Sequence, residues 1–149
     1  MINMKAERQF IGNSTYRSRL VDGHFHTELC PHGSGDRTAL MIEKAIELRI
    51  EKVCLTEHAP LPKAFEAEYG GDKVAYDTAS LKLNQVDSYL ELGRELQRAY
   101  GTHIDISLGF EVDYIPGFES DIQDFLDRYG PLTDDNILSV HFMDGVGAV

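Results

Sequence analysis

Every β-like run in this sequence closes on a histidine or a carboxylate, and helical periodicity separates each run from the next. Residues 20–24 end in His24, residues 52–56 lead into Glu57 and His58, residues 104–111 end in Glu111, and residues 137–141 end in His141. Between the first two runs, Leu40, Ile42, Ala45, Ile46 and Leu48 recur at helical spacing behind a cap at Ser34 or Asp36. A long helix starting near Asp77 carries Leu81, Val86, Tyr89, Leu90, Leu96 and Tyr100, with Gly101 where a helix end wants a left-handed residue. A short helix over 118–129, closed by Gly130 and Pro131, precedes the last run. Strands alternating with helices build βα units around a parallel sheet. Such a sheet needs cover on both faces, as in a small open α/β sheet or a closed barrel. About four units make half a barrel, since full barrels take about 250 residues. The expectation is therefore a domain over 20–149 that is the N-terminal half of a barrel, truncated at its C-terminal end. Residues 1–19 show no periodicity and read as an N-terminal arm, and residues 59–76 read as a loop.

Charge narrows the partners. A formal net charge of -11, with no lysine- or arginine-rich stripe, repels a nucleic-acid backbone. A small phosphorylated substrate would need a local source of positive charge, which bound metal supplies better than scattered basic residues. No apolar run approaches the roughly 20 residues of a membrane span, and the N-terminus lacks the apolar stretch of a secretory signal. A folded cytoplasmic protein is expected, with Cys30 and Cys54 as free thiols. Oligomeric state is not legible.

In a parallel βα arrangement the carboxyl ends of the strands share one rim, where ligands bind. His24, His26, His32, His58, Glu111 and His141 all fall on that rim. Residues two apart on a strand point the same way, so His24 and His26 can present two imidazoles to one ion; the alternative is a surface pair. His32 lies in the turn-rich stretch Cys30-Pro31-His32-Gly33-Ser34-Gly35-Asp36, either swung over the strand ends or a turn histidine beside a cap. Cys30 is a candidate soft-metal ligand, though the imidazoles already suffice. Glu57 is a site residue or a solvated neighbour of His58. Glu111 suits a carboxylate bridging two cations, with Asp113 competing on the same face. His141 alone is not distinctive, and His103, at the opposite end of its strand, reads as structural.

Taken in order, Asp22-Gly23-His24-Phe25-His26-Thr27, Thr56-Glu57-His58, Gly109-Phe110-Glu111 and Ser139-Val140-His141 resemble the motifs of the PHP superfamily of metal-dependent phosphoesterases. Residues 26–33, 57–61 and 109–114 resemble, within it, the histidinol-phosphate phosphatase branch. The resemblance implies a distorted TIM-like barrel and hydrolysis of L-histidinol phosphate in histidine biosynthesis. It also implies up to three divalent ions of zinc, manganese or iron. His24 and His26 would hold one with Glu111, His32 and His58 a second, and Glu111 with His141 a third. A metal-bound hydroxide held by Glu111, His24 and His26 would attack phosphorus. The family's later motifs have no counterpart before Val149, so a metal-binding segment with little catalysis is the alternative, alongside another PHP activity such as a proofreading exonuclease module.

Overall fold

The computed structural model describes residues 19–143 and 146–148, so nearly all of the expected arm over 1–19 lies outside the described residues. Four strands, β1 (Val21–Phe25), β2 (Lys52–His58), β3 (Asp105–Asp113) and β4 (Ile137–Ser139), form one sheet in the order β1-β2-β3-β4. All three pairings are parallel. Helices α1 (Thr38–Glu47), α4 (Val86–Tyr100) and α5 (Glu119–Tyr129) fill the crossovers, and β5 (Phe142–Met143) pairs with β6 (Val146–Ala148) in an antiparallel ribbon. This is the half-barrel of βα units that the alternation of runs predicts.

The two-residue period of β2 and β3 separates the faces of the sheet. Val53 and Leu55 on β2, with Ile106, Leu108, Phe110 and Val112 on β3, join Ile42 and Ala45 of α1 and Val86, Tyr89, Leu90 and Leu96 of α4 in the main core. The opposite face of the same strands carries Cys54, Thr56, His58, Ser107, Gly109, Glu111 and Asp113. Tyr89 ties the layers together. Fully buried, it donates its hydroxyl hydrogen to the Gly109 carbonyl and accepts the Glu57 amide at 3.3 Å. Tyr89→Phe strands both backbone groups, and is expected to cost about 1–3 kcal/mol, read as a lower urea midpoint with an unchanged slope.

Several element boundaries differ from the sequence reading. Helix α1 begins at Thr38, not behind Ser34 or Asp36. Its first amide is capped from outside, by the Glu28 carboxylate, while Thr38 Oγ1 accepts the Glu28 amide at 3.2 Å. Ser34 instead accepts the Asp36 amide at 3.2 Å in a local turn. The long helix expected from Asp77 is two pieces. Asp72 caps α3 (Lys73–Thr78) by accepting from Val74 and Ala75. The chain then breaks because the Leu81 amide bonds the His58 carbonyl at 3.3 Å and its side chain is buried. A 3-10 turn over Leu83–Gln85 restarts the helix as α4. Gly101 closes α4 in right-handed geometry with φ -60°; its glycine is needed because a Cβ would lie 2.5 Å from the Gln97 carbonyl oxygen.

The stretch 59–76 is not bare loop. It carries α2 (Phe65–Glu68) and most of α3. Phe65 and Tyr76 pack with Ile115, Phe118 and Phe142 in a second core at the rim of the sheet. Phe142 follows His141 directly, so this aromatic cluster anchors the chain where β4 has already ended.

Candidate metal centre

Strand register brings the site together. His58 is the direct partner of Glu111 across β2 and β3, and Glu111 in turn pairs with Ile137 of β4. A register irregularity between Asp22 and Phe25 turns the end of β1 so that His24 and His26 both reach the same carboxylate. The result is a ring of imidazoles around one buried group. Glu111 Oε2 lies 3.1 Å from His24 Nε2, 3.3 Å from His26 Nε2 and 3.2 Å from His58 Nδ1, and Glu111 Oε1 lies 3.6 Å from His141 Nε2. His24 Nε2 and His26 Nε2 are 2.8 Å apart.

The sequence-predicted residues therefore converge, with one graded exception. His24, His26 and Glu111 form one set of three donors within 4.8 Å of one another, and His58, Glu111 and His141 form another, sharing Glu111. His32 stands beside them, its ring 5.0 Å from that of His58, but joins neither set. A third set contains Cys30, His26 and Glu57. Burial pushes the Cys30 thiol up to about 11, which leaves it protonated at neutral pH and a poor ligand. His103 lies exposed at the other end of the sheet, next to Ile104 and Asp105 and away from the cluster.

Electrostatics argue against reading the His58–Glu111 contact as an ion pair. Burial first, and then the neighbouring His26 and His32, push the His58 imidazole down to about 4, so it is neutral at pH 7. His58 Nδ1 and Glu111 Oε2 are both buried and neither makes a hydrogen bond. Buried polar atoms nearly always find a partner, and a charged oxygen left without one is costly. Here three nitrogens stand within 3.3 Å of Oε2 at angles unsuited to hydrogen bonding. A donor set of imidazole nitrogens around a carboxylate fits a divalent cation of the zinc, iron or manganese type.

Two carboxylates behind the ring matter more than the sequence reading allowed. Glu57 is fully buried rather than solvated, and Asp113, the competing carboxylate on the face of Glu111, is buried as well. Glu57 contacts His26 Nδ1 at 3.1 Å and Asp113 contacts His141 Nδ1 at 2.8 Å. The hydrogen bond to Glu57, helped by its charge, raises the His26 pKa against the effect of burial. Burial alone would raise Glu57, but hydrogen bonds from His26 and Thr27 outweigh it and leave the carboxyl below its ordinary value. The available signal was the strand period, which puts Glu57 on the core face behind Val53 and Leu55.

Comparison with known proteins agrees with this geometry. The profile of the PHP domain matches residues 22–147. The histidinol-phosphatase of Bacillus subtilis strain 168 is 41% identical over 122 residues, covering 82% of this chain and 44% of that protein. A crystal structure of a Listeria monocytogenes protein assigned as a histidinol phosphatase superposes with a TM-score of 0.81 at 44% identity, covering 83% of this chain and 45% of that one. A histidinol phosphate phosphatase from Lactococcus lactis, solved with zinc, L-histidinol and phosphate, superposes with a TM-score of 0.66 at 24% identity, over 87% of this chain and 43% of that one, and speaks for the fold. The chain thus spans less than half the length of these relatives. With the strand order, the ring of imidazoles around Glu111 and the matched span in agreement, the chain belongs to the PHP domain family.

Proposed function

We propose that this protein is a cytoplasmic, metal-dependent phosphatase that hydrolyses L-histidinol phosphate to L-histidinol and phosphate, a step of histidine biosynthesis. One observation carries the reading: a buried Glu111 oxygen with no hydrogen bond, ringed by imidazole nitrogens and shared by two three-donor sets. The 41% identity to a histidinol-phosphatase supports the choice of substrate. His24, His26, His32, His58, Glu111 and His141 would hold the ions, up to three of zinc, manganese or iron, with Glu111 shared between neighbours.

Bound cations would supply an activated water and neutralise charge on the phosphoryl oxygens. The chain's own residues do the rest. Glu111 lowers the cost of gathering cations in one place. Phe142, next to His141 in the chain, is packed in the second core and anchors that end of the site. The overall charge of -11 opposes polyanions, so a small monoester that meets the cations directly suits the site better than nucleic acid.

A second reading, metal binding with little turnover by these 149 residues alone, is favoured by the match to only 44% of the relative's length. Calorimetric titration with zinc or manganese, followed by a phosphate-release assay on L-histidinol phosphate, separates the two. Either reading expects tight binding that a chelator reverses and that weakens in acid, where the imidazoles protonate. Turnover above roughly 1 per second, lost with the metal, supports the enzyme; binding without phosphate release supports the second reading. A chain that binds no divalent ion refutes both.

A further inference from the structure

We infer that Glu57 and Asp113 are positioning residues that decide which ring nitrogen of His26 and His141 is left free for a metal ion. The inference rests on the metal-site reading above, but its first step concerns the chain alone. Glu57 Oε2 accepts the amide and the hydroxyl of Thr27 at 2.9 and 2.7 Å, and its Oε1 accepts the His58 amide at 3.2 Å. The two amides can only donate, and the Thr27 hydroxyl, which accepts the Leu29 amide at 3.2 Å, is left to donate, so the group is held as an acceptor. The nitrogen of His26 that faces it, Nδ1 at 3.1 Å, must therefore carry the proton. In the neutral ring the lone pair then sits on Nε2, the nitrogen turned toward Glu111.

Asp113 repeats the arrangement on another strand. Its Oδ1 accepts the Ser139 hydroxyl at 3.1 Å, the His141 amide at 3.3 Å and His141 Nδ1 at 2.8 Å, which frees Nε2 toward Glu111. The Thr78 carbonyl, which can only accept, lies 2.8 Å from His32 Nδ1 and fixes that ring the same way. A neutral imidazole with no partner prefers the opposite form, with its hydrogen on Nε2. That form would aim an N–H at the place where a cation needs a lone pair. The carboxylates thus preset the ligands before any ion arrives, as outer partners of metal-binding histidines do elsewhere.

Glutamine at position 57 should reverse the choice. The Thr27 amide and hydroxyl at 2.9 and 2.7 Å outweigh the single, longer His58 amide at 3.2 Å, so the carboxamide oxygen stays on the Thr27 side and the NH2 group faces His26 Nδ1 and calls for a lone pair there. The ring responds by moving its hydrogen to Nε2. Asp113 differs, because the Ser139 hydroxyl, the His141 amide and the ring all meet the one oxygen Oδ1: asparagine can keep an oxygen there and the hydrogen on Nδ1, whereas Asp113→Ala removes the acceptor and lets the His141 ring take its preferred form with hydrogen on Nε2.

Two-bond 1H–15N spectra of the metal-free chain at about pH 9, where imidazoles are neutral, read the forms directly. His26, His32 and His141 are expected with hydrogen on Nδ1, and exposed His103 with hydrogen on Nε2. Glu57→Gln is expected to convert His26, and Asp113→Ala to convert His141 while Asp113→Asn leaves it unchanged, each conversion lowering zinc affinity about 10- to 100-fold by calorimetry. Hydrogen on Nε2 of His26 or His141 in the unaltered chain overturns the inference, as does conversion with unchanged zinc affinity. An unaltered chain with the expected forms but no zinc binding supports the preset rings and removes the metal-site reading instead. If Glu57→Gln fails to fold, the half-buried His141 carries the comparison, with Asp113→Ala as the converting variant and Asp113→Asn as its control.

Discussion

Glutamine in place of Glu111 is expected to lower zinc affinity on the order of 1,000-fold or more, beyond the roughly 10- to 100-fold cost of altering a residue behind the ligands. Glu111 belongs to both three-donor sets built on His24, His26, His58 and His141, so its loss empties two sites at once. Glutamine keeps the shape and removes the charge, and its NH2 group would turn a donor toward nitrogens that should bind an ion. Stability without metal is expected to move the other way. Glu111 is 3% exposed, its Oε2 makes no hydrogen bond, and the adjacent His58 ring is neutral at pH 7, so only His26, whose pKa the Glu111 charge helps to raise, works against the cost of burying that charge. The metal-free variant should be as stable as the parent or more so. Zinc calorimetry and thermal denaturation in chelator measure the two effects. Zinc affinity within tenfold of the parent rules out the shared-ligand role, and a metal-free loss above about 2 kcal/mol makes Glu111 a structural residue.

Opposite responses of that kind mark a residue kept for chemistry at the expense of folding. The same tension explains what the sequence discloses. His24, His58, Glu111 and His141 were legible because each closes a β-like run, and parallel topology puts all such ends on one rim. Their convergence needed no knowledge of side-chain angles. Glu57 and Asp113 were harder, because a carboxylate beside a ligand looks the same in sequence whether it is solvated or buried against an imidazole. The two-residue period could have settled Glu57, since it continues the core face of Val53 and Leu55, where a carboxylate must be fully hydrogen-bonded.

Helix boundaries failed for a different reason. Residues 77–100 carry apolar side chains at helical spacing throughout, yet the helix breaks where Leu81 is tied to the His58 carbonyl. That bond joins residues far apart in sequence, and no local pattern encodes it. The cap of α1 is likewise tertiary: Glu28, ten residues away, does what Ser34 and Asp36 were expected to do. The second core was missed because Phe65, Tyr76, Ile115, Phe118 and Phe142 come from four separate stretches without shared periodicity. Local chemistry thus fixed the strands and the ligands, while long-range bonds fixed the ends of the helices.

One backbone contact next to the site should be as sensitive as any ligand. Gly109→Ala is expected to destabilise the chain by about 3 kcal/mol or more, at or past the upper end for added volume in a packed core. A Cβ at Gly109 would lie 1.6 Å from the Asp135 carbonyl oxygen and 2.7 Å from its carbon, and both are backbone atoms that cannot rotate away. The segment they belong to is strapped to β3. Leu108 accepts the Asp134 amide at 2.6 Å, and Asn136 accepts the Phe110 amide at 2.9 Å through its side chain. Gly109 itself receives the Tyr89 hydroxyl from the other layer, so β3 cannot shift to make room without breaking that bond. Residues 134–136 must move instead, and β4 and His141 follow them directly in the chain. Alanine should therefore lower the melting temperature by about 10 °C or more and weaken zinc binding in whatever fraction still folds. Serine, equally small and also bearing a Cβ, should fail in the same way. An alanine variant that melts within about 2 °C of the parent would mean that the strands do not approach this closely, and the placement of His141 would have to be redrawn.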